Sequence, residues 1–160
     1  MGMLEKNRSI FIMVSITMMV SSCAGITPSK PSIMEITSLN RAEDIPLSFN
    51  VSSISIDGVP RLNQEILHYM KKALKDRGFV VVEADPVAIF VGRVRWSSHA
   101  ISGTNILLHM NLQRKDTGSV IWACEIKRDY DIYSSLIDGI KNSIDNSLDC
   151  LSKNIQALRK

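Results

Sequence analysis

The sequence predicts an α+β domain: a two-layer sandwich in which an antiparallel-rich sheet carries two helices on one face. Three observations predict it. Leu62–Leu74 and Tyr133–Leu158 repeat apolar residues at three- and four-residue spacing, which marks two amphipathic helices. Three successive segments after residue 87 alternate apolar and polar residues and are joined by turn signals, the pattern of an antiparallel meander with one wet face. A further alternating segment precedes the first helix, so the order is β-α-β-β-β-α, which packs as helices covering one side of a sheet.

Leu47, Phe49 and Val51 alternate, and Ile54 and Ile56 continue in the opposite parity. That change predicts a strand bulged near Ser52-Ser53. Asp57-Gly58 ends it, and Pro60 suits a first helical turn. Leu62, Ile66, Met70, Ala73 and Leu74 form the stripe of the first helix, with Gly78 as its C-terminal cap. Phe79–Val82 is a short β-branched run before the turn Ala84-Asp85-Pro86. Val87–Ser98 follows as a long strand with Phe90, Val94 and Trp96 on one face, where Gly92 leaves room for a helix to come close. After Ser102-Gly103, Ile106, Leu108, Met110 and Leu112 alternate. After the hairpin signal Lys115-Asp116-Thr117-Gly118, Val120, Trp122, Cys124 and Ile126 alternate in turn. The last helix carries Tyr133, Ile137, Ile140, Ile144, Leu148, Leu151, Ile155 and Leu158. The other sheet face is expected to be polar, with Arg93, Arg95, His109, Asn111, Gln113, Glu125 and Lys127.

The N-terminus is of another kind. Residues 1–8 are polar and end in positive charge, and Ile10 to Val20 is almost purely apolar. Those 11 residues would span roughly 17 Å as a helix, against a hydrocarbon core of about 30 Å. The run is too short for a comfortable span and has the length of a signal-peptide core. Val20-Ser21-Ser22-Cys23 then resembles the lipobox of bacterial lipoproteins. The resemblance implies cleavage between Ser22 and Cys23, removal of residues 1–22, and a diacylglycerol on the Cys23 thiol. Small residues before the cut suit entry into an intramembrane protease, and several acyl chains hold far better than one. The alternative is an ordinary secretory signal in which Cys23 is incidental. Ala24, where an Asp resembles an inner-membrane retention signal, points to the outer membrane with the domain facing the periplasm.

Residues 23–44 are assigned to the lipidated cysteine and a flexible tether, because Thr27-Pro28-Ser29-Lys30-Pro31-Ser32 resists packing. The alternative within it is a short ordered element at Ile33–Leu39. Residues 45–160 are assigned to the folded domain.

Composition narrows the function classes. Removing Lys6, Arg8 and Glu5 with residues 1–22 from the 19 basic and 16 acidic groups leaves 17 and 15, a net +2. With 6% aromatic residues, this argues against nucleic acid as a partner. No phosphate loop, metalloprotease motif or nucleophile elbow occurs, and His68, His99 and His109 are scattered, so the reading is non-enzymatic with no cofactor. Cys124 and Cys150 can be read as a strand-to-helix disulfide or as two separate buried thiols, and they are too few for a metal site. Lys71, Lys72, Lys75 and Arg77 complement the end of the first helix. Arg93 and Arg95 project together, with Lys127 expected nearby, as a candidate patch for an anionic partner.

Leu62–Phe79 (LNQEILHYMKKALKDRGF), Ala84–Gly92 (ADPVAIFVG) and Asp116–Trp122 (DTGSVIW) give a pattern over residues 45–158. Behind a lipobox, it resembles two groups of small bacterial lipoproteins: the lipopolysaccharide-assembly (LptE-like) proteins and the peptidoglycan-synthase activators. The resemblance implies a membrane-anchored, non-catalytic binding or assembly module whose partner is an envelope protein or glycolipid. The competing class is a small-ligand carrier or enzyme, which requires a deep pocket with convergent polar groups.

Overall fold

The computed structural model describes residues 30–99, 103–130 and 135–160. The signal segment, Cys23, the first part of the tether and Tyr133 lie outside the described residues. Five strands form one sheet: β1 (Ser32–Thr37), β2 (Phe49–Ile56), β3 (Ala88–His99), β4 (Gly103–Arg114) and β5 (Val120–Tyr130). Their spatial order is β1-β5-β4-β3-β2. Two helices, α1 (Asn63–Asp76) and α2 (Leu136–Leu158), pack against it. The fold is α+β, and β2 to α2 run in the expected β-α-β-β-β-α order.

β3, β4 and β5 form the antiparallel meander. β2 runs parallel to β3, because α1 carries the chain back across the sheet between them. The register of β2 shifts between Val51 and Ser53, which is the bulge that the parity change predicts. It turns Val51, Ile54 and Ile56 all inward, at 3% exposure each. Leu47 stays outside this pattern and is 85% exposed. The Phe79–Val82 run makes no strand, only a single bridge from Val81 to Phe49. Phe79 instead packs edge-on against the Phe49 ring, with centroids 5.2 Å apart.

The tether assignment needs correction at Ser32–Thr37. This segment pairs antiparallel with β5, from Ser32 opposite Lys127 to Thr37 opposite Trp122. An edge strand gains its ladder hydrogen bonds from backbone groups, whatever its side chains. Its side chains are exposed except for half-buried Glu35, so no apolar stripe announces the strand.

α1 buries Ile66, Met70, Ala73 and Leu74. It ends at Gly78 (φ +80°), where the Phe79 N–H donates to the Leu74 carbonyl at 3.1 Å. α2 starts on Ser135, whose hydroxyl accepts the Asp138 N–H at 3.1 Å. It buries Ile140, Ile144, Leu148 and Leu151 completely. At about 1.5–3 kcal/mol for each such side chain, packing on the sheet rather than intrinsic propensity holds this helix. Gly139 lets α2 approach closely: a Cβ there would lie 2.5 Å from Ile106 Cδ1. At Gly92 the close neighbours are the Ile54 and Met110 side chains of flanking strands, not a helix.

The two helices are clamped at one side. Arg77 donates from Nε and Nη2 to Asp149 (3.0 and 2.8 Å) and from Nη2 to Asp145 (3.0 Å). Burial works against the Arg77 charge, but these carboxylates outweigh it and raise its pKa. The Tyr69 hydroxyl donates to Asp145 at 2.5 Å. Burial, reinforced by that bond and charge, pushes the phenol up to about 12.

Candidate functional site

With both helices on one face, the other face of the sheet is open. Strand pleating places side chains there in cross-strand rows. One row runs Met34, Glu125, His109, Arg93, Ser55, and the next runs Ile36, Ala123, Asn111, Val91, Ser53. A third runs Ser32, Lys127, Leu107, Arg95. The expected polar residues therefore do share this face. Arg93, Arg95 and Lys127 are exposed, and His109, Asn111, Gln113 and Glu125 are half-buried.

The structure brings Arg93 and Arg95 together around an acid that the sequence pattern does not reveal. Arg93 donates from Nε and Nη2 to the two Asp57 oxygens at 3.2 and 3.1 Å. Arg95 Nε stands 3.9 Å from the same carboxylate. One anion between two guanidiniums, each more than half exposed, leaves a net cation there. Lys127 is two strands from Arg95, across Leu107. His109 Nδ1 lies 3.1 Å from Glu125 Oε2, an ordinary surface pair.

Trp96 departs from expectation. It shares the inward parity of Phe90 and Val94, which are fully buried, yet it is 36% exposed. Its indole N–H donates to the Asp57 carbonyl at 2.8 Å. Its row neighbour Ile106 is fully buried against α2 at Gly139, whereas Trp96 lies a strand further from that helix.

The strand missed by composition adds an apolar strip. Met34 and Ile36 on β1 are 63% and 69% exposed. With His109, Asn111, Ala123 and Glu125 they line a trough of about 150 Å³. That is well below the ~300–1,000 Å³ of small-molecule sites. A larger hollow of about 330 Å³, beside α2, is walled by the polar and charged residues Arg77, Asp149, Ser152, Lys153 and Gln156. A third, about 250 Å³, lies at the far end of the sheet between Ile45, Leu47, Phe79, Val80 and Arg159. Among the described residues, no three His, Cys, Asp or Glu side chains are grouped to hold a metal. No helix among them is long and apolar enough to cross a membrane.

Inside the sandwich, Glu35 reaches inward from β1. Its Oε1 accepts hydrogen bonds from the indole N–H of fully buried Trp122 and from Asn154 Nδ2 of α2, the latter at 2.7 Å. This carboxylate is the latch of the edge strand, and a lone Glu in a polar stretch gives no signal of it. Cys124 and Cys150 are separate free thiols, buried and half-buried. Burial pushes Cys124 up to about 11 and also raises Cys150.

The architecture is thus a mixed five-stranded sheet backed on one side by two helices, with its other face open. Among solved structures this fold occurs in PelC from Paraburkholderia phytofirmans, a dodecamer. Two PelC structures, one a point variant, align with 74% of this chain and 95% of theirs, at 16% and 15% identity and TM-scores of 0.60 and 0.59. A PDZ domain protein from Parabacteroides distasonis aligns with 74% of this chain but 35% of its own length, at 10% identity and a TM-score of 0.52. At these identities the likeness is one of fold. No protein-family model and no curated protein sequence matches the chain.

Proposed function

We propose that this chain is a lipid-anchored protein of the bacterial envelope, fastened through Cys23 to the outer membrane with its domain in the periplasm. It acts there as a non-catalytic binding and assembly module. The observation that carries this reading is the open sheet face. It presents a long surface bounded by an exposed Met34/Ile36 strip, and the trough beside that strip is too small for a typical ligand. Contiguous exposed apolar side chains on a sheet edge are suited to a protein partner. The dodecameric state of the PelC structures supports a second copy of this chain as one such partner.

Two measurements test the proposal. Intact mass of the native protein should show a chain beginning at Cys23 and carrying diacylglycerol. A start at Met1, or a processed but unlipidated Cys23, would remove the anchor. Light scattering of the purified protein should show an oligomer that Met34→Asp with Ile36→Asp converts towards monomer. A monomeric starting protein would remove self-association.

A further inference from the structure

We propose that one end of the sheet rests on the bilayer, with Lys30, Arg95 and Lys127 against lipid phosphates and Trp96 at the headgroup boundary. The proposal builds on the lipid anchor at Cys23 and adds which surface of the domain the membrane covers.

Where the chain enters the fold sets the geometry. β1 begins at Ser32, opposite Lys127, which is in register with Leu107 and, through it, Arg95. β1 is antiparallel to β5, so the chain enters Ser32 from the end of the sheet where β3 meets β4. Eight residues lie between Cys23 and Ser32, and the nine steps from one to the other reach roughly 30 Å at most when fully extended. The 12 residues of β3 are themselves roughly 40 Å long. The anchor therefore keeps this end nearest the lipid.

The chemistry of this end fits the position. Lys30, Arg93, Arg95 and Lys127 are exposed around it. Asp57 engages Arg93 with both oxygens and leaves Arg95 the looser partner at 3.9 Å. Asp129, one row beyond Trp96, accepts from Asn105 Nδ2 at 2.5 Å. At the far end the exposed acids Glu83 and Asp85 are paired with Lys71 (2.9 Å) and Lys115 (2.8 Å). Trp96 joins a large apolar ring to a tied-down N–H and lies in the row just past Arg95. An amphipathic aromatic beside cations is the combination that settles at a membrane–water boundary. Each Lys or Arg there is individually weak, but a tethered patch meets its surface at high local concentration.

The two tryptophans make the test direct. Trp122 is fully buried, so an aqueous quencher reads Trp96. The full lipidated protein is placed in vesicles of phosphatidylglycerol and phosphatidylethanolamine, and in vesicles of phosphatidylcholine. Trp96 should be shielded from iodide and acrylamide, and quenched by brominated acyl chains, in the anionic vesicles more than in phosphatidylcholine. Arg95→Gln and Lys127→Gln should each weaken the shielded state roughly fivefold, without releasing the protein from the vesicles. Molar salt should weaken it too. Protein that floats with the vesicles while Trp96 stays as accessible as in water overturns the orientation and leaves the anchor standing. Protein that does not float overturns the anchor and the orientation with it. Shielding that follows protein concentration and ignores lipid assigns the surface to a second copy and overturns the proposal.

Discussion

Replacing Glu35 by Ala should loosen the edge strand more than its half-exposed position suggests. β1 has little apolar burial of its own, since Ile33, Met34 and Ile36 are all 42% exposed or more. What ties it to the core, beyond the ladder to β5, is the Glu35 carboxylate. The substitution removes the acceptor for the Trp122 indole N–H, inside a side chain with no exposed surface, and for Asn154. A hydrogen bond to a charged group contributes about 1.5–3 kcal/mol, and an orphaned buried donor costs about 1–3 kcal/mol. These overlap, and water can reach the space left by a half-buried side chain, so the expected loss is about 2 kcal/mol. Glu35→Gln keeps an acceptor and should cost less than half as much. Urea unfolding of both variants gives the free energies, and hydrogen exchange gives their location. In Glu35→Ala the β1 and β5 amides of the β1–β5 ladder should exchange faster than those shared by β3 and β4, because β1 detaches locally. A loss below about 0.5 kcal/mol, the range of ordinary surface substitutions, with β1 protection unchanged, would refute the latch.

Other perturbations separate packing from charge. Gly139→Ala gains up to about 1 kcal/mol of helix propensity but drives a methyl into Ile106 and Tyr130, an overpacking cost of about 1–3 kcal/mol. Thermal unfolding should therefore show a net loss near 1 kcal/mol. Arg77→Lys replaces a fork that spans Asp145 and Asp149 by a point charge, and should lower stability by about 1 kcal/mol in urea. The Tyr69 phenol titrates near 10 when unfolded and about 12 when folded. A raised pKa leaves its contribution whole below pH 10 and removes it as pH climbs toward 12, so Tyr69→Phe should flatten stability across that window. Iodoacetamide at pH 8 should modify half-buried Cys150 well before Cys124, whose thiol burial holds protonated; equal rates would contradict that burial.

Much of the sandwich is legible in the chain because its segments carry strong periodicity. The β2 bulge shows as a change of parity between Val51 and Ile54, and Gly78 and Gly118 mark ends that need positive φ. Alternation also puts Arg93, Arg95 and Lys127 on one face. β1 is not legible, because its pairing is a backbone matter and its apolar side chains, divided between the two faces, all stay exposed. The exposure of Trp96 is equally silent, since parity says which side of the sheet a residue takes and nothing of how far the helices cover it.

The local rules of the chain therefore determine which segments are strands and helices and which faces are apolar, since these follow from side-chain spacing along a regular backbone. Tertiary structure alone decides which strand closes the sheet, that Asp57 sits between two arginines, and that Glu35 secures Trp122. Those contacts join residues distant in the sequence, with 87 positions between Glu35 and Trp122 and 36 between Asp57 and Arg93. No periodicity spans such separations, so only the packed chain brings the partners within bonding distance.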